Sequence, residues 1–150
     1  MTKNLYDFVL DCSVTMAWCF EDESNDYTDA ILENLENTTA IVPTIWPLEV
    51  ANVLLLSKKN KRITEVQSAG FIDALSALPI VVDQSTTSRA MHSIFVLAGQ
   101  SGLTIYDAAY LELAIREKIP LLTLDKGLIK AAKKLCIPIV INLEEITTPK

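Results

Sequence analysis

Short apolar runs alternate with longer amphipathic stretches along this chain. The runs are three or four residues long, as expected for strands that are buried in a parallel sheet. Strands are predicted at residues 8–10, 40–42, 80–82, 121–124 and 138–141. We expect the last of them at the edge of the sheet, because its proline cannot donate a hydrogen bond to a neighbouring strand.

The stretches between these runs carry apolar residues at intervals of three and four, which predicts helices. Helices are predicted near residues 14–20, 27–35, 44–59, 64–78, 87–97 and 104–118, and after residue 125. Thr44 is expected to cap the third helix. Gly99 and Gly102 are expected in the loop before the helix at 104–118.

Strands that alternate with helices predict right-handed crossovers and a parallel sheet covered on both faces. The fold class is therefore α/β, a three-layer α/β/α sandwich with four to five parallel strands. The 150 residues, 50% of them hydrophobic, are enough for one core, so a single domain over residues 1–150 is expected.

The formal net charge is −6, with a pI near 4.7. This charge argues against a protein that coats nucleic acid through bulk positive charge. It does not exclude a nuclease, because bound divalent cations would offset the negative charge where a phosphate approaches. The one dense basic run, residues 58–62, is predicted at a turn and is typical of a solvated surface, with contact to RNA phosphates as the alternative.

The three cysteines, Cys12, Cys19 and Cys136, form no CxxC motif, and apolar residues surround each of them. They are expected to be buried thiols in a reducing compartment. The N-terminal residues predict neither a signal peptide nor a membrane span. We therefore expect a soluble, cytoplasmic protein with no membrane partner.

Acidic residues stand where an apolar run ends or a helix begins, at Asp11, Glu49, Asp107 and Asp125. Strand ends and the starts of the following helices share one edge of a parallel sheet, so these side chains can converge. Two carboxylates about 4 Å apart repel by about 4 kcal/mol at an effective dielectric of 20. A cation would offset this repulsion, and hard oxygen ligands favour Mg²⁺ or Mn²⁺.

Helix capping is the competing explanation for each acid taken alone. Asp11 and Asp125 can be N-caps, and Thr104 with Asp107 resembles a capping box, each cap contributing about 0.5–2 kcal/mol. Glu49 and Asp107 lie within apolar sequence, where a solvated charge is not expected. This context favours a shared site over four independent caps.

Other chemistries lack their usual residues. His92 is the only histidine and no GxSxG motif is present, which disfavours a Ser-His-Asp triad. Four glycines form neither GxxxxGK[ST] nor GxGxxG, so no nucleotide site is predicted. Zinc is disfavoured because no paired cysteines or histidines occur.

Four segments in this order and spacing resemble those of PIN-domain ribonucleases, most closely the VapC-like toxins of toxin/antitoxin pairs. They are residues 9–13, 47–54, 106–114 and 122–125, and the resemblance spans nearly the whole chain. It implies an α/β/α sandwich that hydrolyses RNA phosphodiester bonds with Mg²⁺ or Mn²⁺. It also implies a cognate antitoxin as partner and a homodimer.

The resemblance further implies that Asp11, Glu49, Asp107 and Asp125 are catalytic and hold the metal. Ser13, Asn52 and Thr123 match positions that support the acids in the family. Some relatives carry a further acid just after the last aspartate, where this chain has Lys126, Gly127 and Leu128. One or two metal ions are both compatible with this pattern.

Two alternatives remain open. In the first, the domain is a catalytically inactive PIN-like module that binds protein or RNA, and the acids are only caps. In the second, residues 10–15 belong to a phosphatase of the haloacid dehalogenase type, whose DxDxT motif they resemble. This alternative is weaker, because Ser13 stands in place of the second aspartate.

Overall fold

The central sheet is built from four parallel strands, in a computed structural model that describes residues 4–139. The strands are β1 (Phe8–Leu10), β2 (Ala40–Val42), β3 (Ile80–Val82) and β4 (Leu121–Leu122). Their order is β3-β2-β1-β4. The order reverses between β1 and β4, which is where open α/β sheets bind their ligands.

Helices surround this sheet and confirm the predicted α/β/α architecture. They are α1 (Cys12–Cys19), α2 (Asp26–Asn34), α3 (Trp46–Lys59), α4 (Glu65–Ser76), α5 (Thr86–Arg89), α6 (Phe95–Ser101), α7 (Ile105–Glu117) and α8 (Lys126–Lys134). A 3₁₀ turn, Glu21–Glu23, precedes α2, and a π-helical segment, Ala90–Ile94, joins α5 to α6. Strand β1 lies at the centre of the core, and all three of its residues are buried.

The last two predicted strands differ in length from the observed ones. The strand predicted at 121–124 ends at Leu122, and the Thr123 hydroxyl then donates a hydrogen bond to Asp11. Of the strand predicted at 138–141, Ile139 forms an isolated parallel bridge with Leu121. Val140 and Ile141 lie outside the described residues.

The helix predicted at 87–97 is longer than expected and is interrupted. His92, an exposed residue, has non-helical φ and ψ of −125° and −106° within the π-helical segment. Gly99 was expected in a loop but lies inside α6. Its φ there is helical, so the position does not require a glycine. Gly102 ends the helix with φ of 70°, a conformation that glycine adopts without strain.

The start of α3 differs from the prediction that Thr44 caps this helix. Ile45 occupies the N-cap position without a side-chain hydrogen bond, so Thr44 does not cap this helix. The Thr44 hydroxyl instead donates to the carbonyl oxygen of Asp83 at 2.9 Å. This bond ties the beginning of α3 to the end of β3.

Apolar residues of α3 differ in exposure. On α3, Trp46, Val50 and Leu54 are buried, whereas Leu55 and Leu56 are 49% and 48% exposed. The buried set repeats every four residues, so it forms the one stripe of the helix that faces the core.

The cysteines differ from one another in burial. All three are free thiols, but only Cys12 is fully buried, since Cys19 is partly exposed and Cys136 is exposed. The expectation of three buried thiols was therefore wrong for two of them. Within residues 4–139, no helix has the length and apolar character that a membrane span requires.

Candidate metal centre

Asp11 follows β1 directly and is the N-cap of α1. Its Oδ2 accepts hydrogen bonds from the Ser13 backbone N–H, the Ser13 hydroxyl and the Thr123 hydroxyl, the last at 2.8 Å. These two hydroxyls accept in turn from the backbone N–H groups of Leu124 and Asp125, both at 3.0 Å. The network therefore joins the ends of β1 and β4, and it leaves Oδ1 of Asp11 without a hydrogen bond from the described residues.

Glu49 lies in the first turn of α3 and is held by a residue of α7. The hydroxyl of Tyr110 donates to its Oε1 at 2.6 Å. Tyr110 is completely buried, so this donor has a fixed position. The second oxygen, Oε2, accepts no hydrogen bond within residues 4–139.

Asp107 and Asp125 lie at the starts of α7 and α8. The backbone N–H of Asp107 donates to Thr104, the N-cap of α7, at 3.1 Å. Asp125 is the N-cap of α8, and its Oδ1 accepts from the backbone N–H of Leu128 at 2.8 Å. The capping roles expected for Asp11 and Asp125 are thus both present, and Oδ2 of Asp125 receives no hydrogen bond in the described part of the chain.

Electrostatic repulsion connects the four carboxylates. Burial raises the pKa of Asp11 by more than its hydrogen bonds from Ser13 and Thr123 lower it, and the charge of Asp125 raises it further. Burial also raises the pKa values of Glu49 and Asp107, and the charge of Asp11 adds to both. Asp107 raises the pKa of Glu49 as well, and Asp125 that of Asp107. Each of the four acids therefore lies within electrostatic range of at least two of the others.

The chain matches the family model of the PIN domain over residues 8–134. It belongs to the PIN domain family. PIN domains are generally nucleases and typically use divalent metals. Among curated proteins, none is significantly similar to this PIN domain.

Two solved structures share the fold of this PIN domain. PAE2754 from Pyrobaculum aerophilum is 21% identical, with a TM-score of 0.67, and the match covers 97% of this chain and 94% of that one. VapBC2 from Rickettsia felis, bound to a DNA fragment from its promoter, is 20% identical, with a TM-score of 0.61 and coverages of 90% and 97%.

The donor chemistry of the four acids fits a hard divalent cation. Asp11, Glu49 and Asp125 are each anchored through one oxygen and keep the other free of hydrogen bonds from the described residues. Carboxylate oxygens are the ligands that Mg²⁺ and Mn²⁺ prefer. In their present rotamers, no three His, Cys, Asp or Glu side chains of residues 4–139 are arranged to hold a metal ion. The carboxylates would thus have to turn towards a shared cation.

Of the predicted supporting residues, Ser13 and Thr123 contact an acid, and Asn52 does not. Asn52 is exposed and forms no hydrogen bond within the described part of the PIN domain. Tyr110 was not predicted as a site residue, although it lies one helical turn after Asp107 on the same face of α7. That spacing, together with the apolar residues around Tyr110, was the available indication that Tyr110 belongs to the site.

A second group of buried acids lies at the end of β3. Arg116 of α7 binds Asp83 at 2.8 Å and Glu112 at 3.1 Å, and Arg89 approaches Glu112 at 3.5 Å. Burial by itself would raise the pKa of Asp83, but hydrogen bonds from Arg116 and Thr86 outweigh it and lower the pKa. In this group the negative charges have cationic partners.

Proposed function

We propose that this PIN domain is a ribonuclease that hydrolyses RNA phosphodiester bonds with Mg²⁺ or Mn²⁺. In this proposal, Asp11, Glu49, Asp107 and Asp125 hold the cation and form the catalytic site. The observation that carries it is the unneutralised negative charge of these carboxylates, since no ion pair of the described residues includes any of them. A bound cation would neutralise that charge.

The surrounding residues have distinct roles in this proposal. Ser13 and Thr123 hold one oxygen of Asp11, Tyr110 holds one oxygen of Glu49, and the start of α8 holds one oxygen of Asp125, which leaves each carboxylate a free oxygen for the cation once it turns towards it. A divalent cation held there would supply an activated water and would offset charge on the leaving oxygen. One of the carboxylates would accept the proton that the water loses.

RNA cleavage with purified protein tests this proposal. We expect a labelled single-stranded RNA to be cut in Mg²⁺ or Mn²⁺ but not in EDTA, and the same sequence as DNA to be cut much more slowly. Asp107→Asn and Asp125→Asn should abolish cleavage. Asp73→Asn, an exposed acid of α4 with the same change in charge, is the matched control. An Asp107→Asn variant as fast as the parent in Mg²⁺ would show that the mechanism is wrong.

A non-catalytic binding module is the second candidate. It is favoured by the capping roles of Asp11 and Asp125 and by rotamers that do not yet enclose an ion. Calorimetric titration with Mn²⁺ separates the two candidates. A nuclease should bind Mn²⁺ at a site that Asp107→Asn weakens, whereas a binding module should give no specific heat and no cleavage.

We further propose that the chain is the toxin of a toxin/antitoxin pair, with a cognate antitoxin and a homodimeric state. Its fold is shared with VapBC2, and α3 exposes apolar side chains, Leu48 at 67% and Leu56 at 48%. A cavity of about 310 Å³ also lies between α3 and α4, on the side of α3 that carries Val50 and Leu54. Expression should arrest growth, and co-expression of the product of an adjacent short reading frame should relieve the arrest. Light scattering would test the dimer.

A further inference from the structure

Helix α8 presents a row of lysines on one face. Their spacing of i, i+4, i+7 and i+8 places them on one side of the helix. The row, here called the lysine face, consists of Lys126, Lys130, Lys133 and Lys134, all of them exposed. Leu128, Ala131 and Ala132 are buried on the opposite side, which fixes the lysine face towards solvent.

These lysines have no acidic partner among residues 4–139. All three arginines of the chain form ion pairs, and so does Lys58. Of the seven other lysines in the described residues, four belong to the lysine face. Between residues 118 and 139 the only acid is Asp125. The face is therefore a concentrated positive surface on a chain whose formal net charge is −6.

The lysine face starts next to the candidate metal centre. Asp125 caps α8, and Lys126 is its first residue. At a rise of 1.5 Å per residue, the row extends about 12 Å away from that cap. In the other basic run, residues 58–62, two side chains already form ion pairs within the chain. Lys58 binds Glu65 at 2.6 Å, and Arg62 binds Asp22 at 2.8 Å while covering the ring of Phe20.

We propose that the lysine face binds the phosphate backbone of the RNA strand that the acidic site cleaves, an inference that rests on the ribonuclease proposed above. The four carboxylates repel a polyanion, so an RNA strand needs a nearby positive surface to stay bound. Lysines that neutralise phosphates release condensed counterions, which drives binding that depends on salt but not on sequence. Phosphates on one side of the scissile bond would then follow α8 away from Asp125.

An acidic protein segment is the competing ligand for such a surface. Protein interfaces are depleted of lysine, and their affinity depends on buried aromatic or apolar anchors. Within α8, no large apolar side chain is exposed. The lysine face thus fits repeated phosphates better than it fits a protein partner.

Two triple variants test the inference. Lys130→Gln, Lys133→Gln and Lys134→Gln are combined in the first, which leaves Lys126 beside the metal centre intact. The control combines Lys59→Gln, Lys61→Gln and Lys118→Gln, three other lysines without acidic partners among the described residues. Both variants lower the net charge by three and keep residues of similar helix propensity.

Binding of a labelled single-stranded RNA is measured at several salt concentrations, with Asp107→Asn present so that the RNA stays intact. We expect the first variant to bind about 10-fold more weakly or worse, and its slope of log affinity against log salt to fall by about 2, since each lost contact removes about 0.7. The control should lose less than half of this slope.

In cleavage assays with Asp107 restored, the first variant should raise KM and leave kcat near that of the parent. The single change Lys130→Gln should lower the slope by about 0.7.

Equal RNA binding and equal salt slopes in the two triple variants would overturn the inference. So would a first variant that loses only the binding of a polyglutamate peptide, because the face would then serve an acidic protein. Failure of the parent to cleave RNA in Mg²⁺ and Mn²⁺ would overturn the ribonuclease instead. The binding and cleavage measurements therefore distinguish the two failures.

Discussion

Two groups of acids, each built around a buried aspartate, show how different the same residue type can be within one sheet. Asp11 and Asp83 each follow a strand directly and are 5% and 7% exposed. Arg116 pairs with Asp83, whose pKa is lowered despite burial. Among residues 4–139, the charged group that acts on Asp11 is the carboxylate of Asp125, and the pKa of Asp11 is raised, first by burial and further by Asp125.

Charge balance, and not position, separates these groups. A buried acid that an arginine neutralises needs no further ligand, so its role is to hold the fold together. A buried acid surrounded by other acids is destabilising until a cation arrives. The second kind of group is therefore the candidate ligand site, and the comparison can be tested by changing one residue at a time.

The largest expected effect is that of Asp11→Asn on cleavage. Asparagine keeps the N-cap and an acceptor for Ser13 and Thr123, but it removes a charge that the cation requires. Cleavage in Mg²⁺ should fall by about 10³-fold or more, equivalent to about 4 kcal/mol in the transition state. Without metal, the melting temperature should rise, because one repelling buried charge is gone.

Asp83→Asn is the matched control for Asp11→Asn. It makes the same chemical change in the balanced group, so it should lower the melting temperature and leave cleavage by the folded protein near the parent value. If both variants shifted stability in the same direction, the distinction between the two groups would be lost.

Arg116→Met should have the next largest effect. It leaves Asp83 and Glu112 buried without their main cation, and removal of one partner from a buried pair costs about 3–5 kcal/mol. Chemical denaturation measures this loss, and the folded fraction should still cleave RNA. Arg62→Met is the control, because its pairs with the exposed Asp22 and Glu23 contribute at most about 1 kcal/mol each. Equal losses in the two variants would contradict the structural role of Arg116.

The contrast between the groups explains what the sequence could and could not predict. The strands β1, β2 and β3 have the predicted bounds, because short buried apolar runs determine them locally. Asp11 and Asp125 could be placed at the sheet edge because each follows such a run. The pairing of Arg116 with Asp83 joins residues 33 positions apart, and no local pattern predicts it.

Tyr110 illustrates the same limit at the candidate metal centre. Its bond to Glu49 connects residues 61 positions apart and depends on how α7 packs against α3. The start of α3 was mispredicted for a related reason, since the Thr44 hydroxyl bonds to Asp83 across the sheet edge. Local periodicity predicts elements, whereas contacts between elements need the folded chain.

Tyr110→Phe is expected to have a smaller effect than these variants, which is a weaker binding of the metal. The variant keeps the buried ring but removes the hydroxyl that fixes Glu49 Oε1. Loss of such an orienting bond typically lowers metal affinity 10–100-fold. Mn²⁺ calorimetry measures this change, and excess Mn²⁺ should restore most of the cleavage. Tyr106→Phe, at an exposed position of α7, should bind Mn²⁺ like the parent. Unchanged Mn²⁺ affinity in Tyr110→Phe would mean that the hydroxyl does not position Glu49.

The smallest expected effect is the response of stability to pH. The pKa values of Asp11, Glu49 and Asp107 are raised in the folded state, so the metal-free folded protein binds more protons than the unfolded chain. Stability should therefore increase as pH falls from 7 towards the ordinary pKa near 4. Below that pH, the stabilisation contributed by Asp83, whose pKa is lowered, should be lost.

Melting curves with and without metal would test this sign. In EDTA, the melting temperature should rise between pH 7 and 5, by about 2–4 °C for each kcal/mol in a chain of this size, and Asp11→Asn should flatten the rise. In excess Mg²⁺ the slope should reverse, because the cation binds deprotonated carboxylates and acid displaces it. A parent protein that becomes less stable on mild acidification in EDTA would show that the carboxylates are not mutually destabilising, and the argument for a shared cation would then fail.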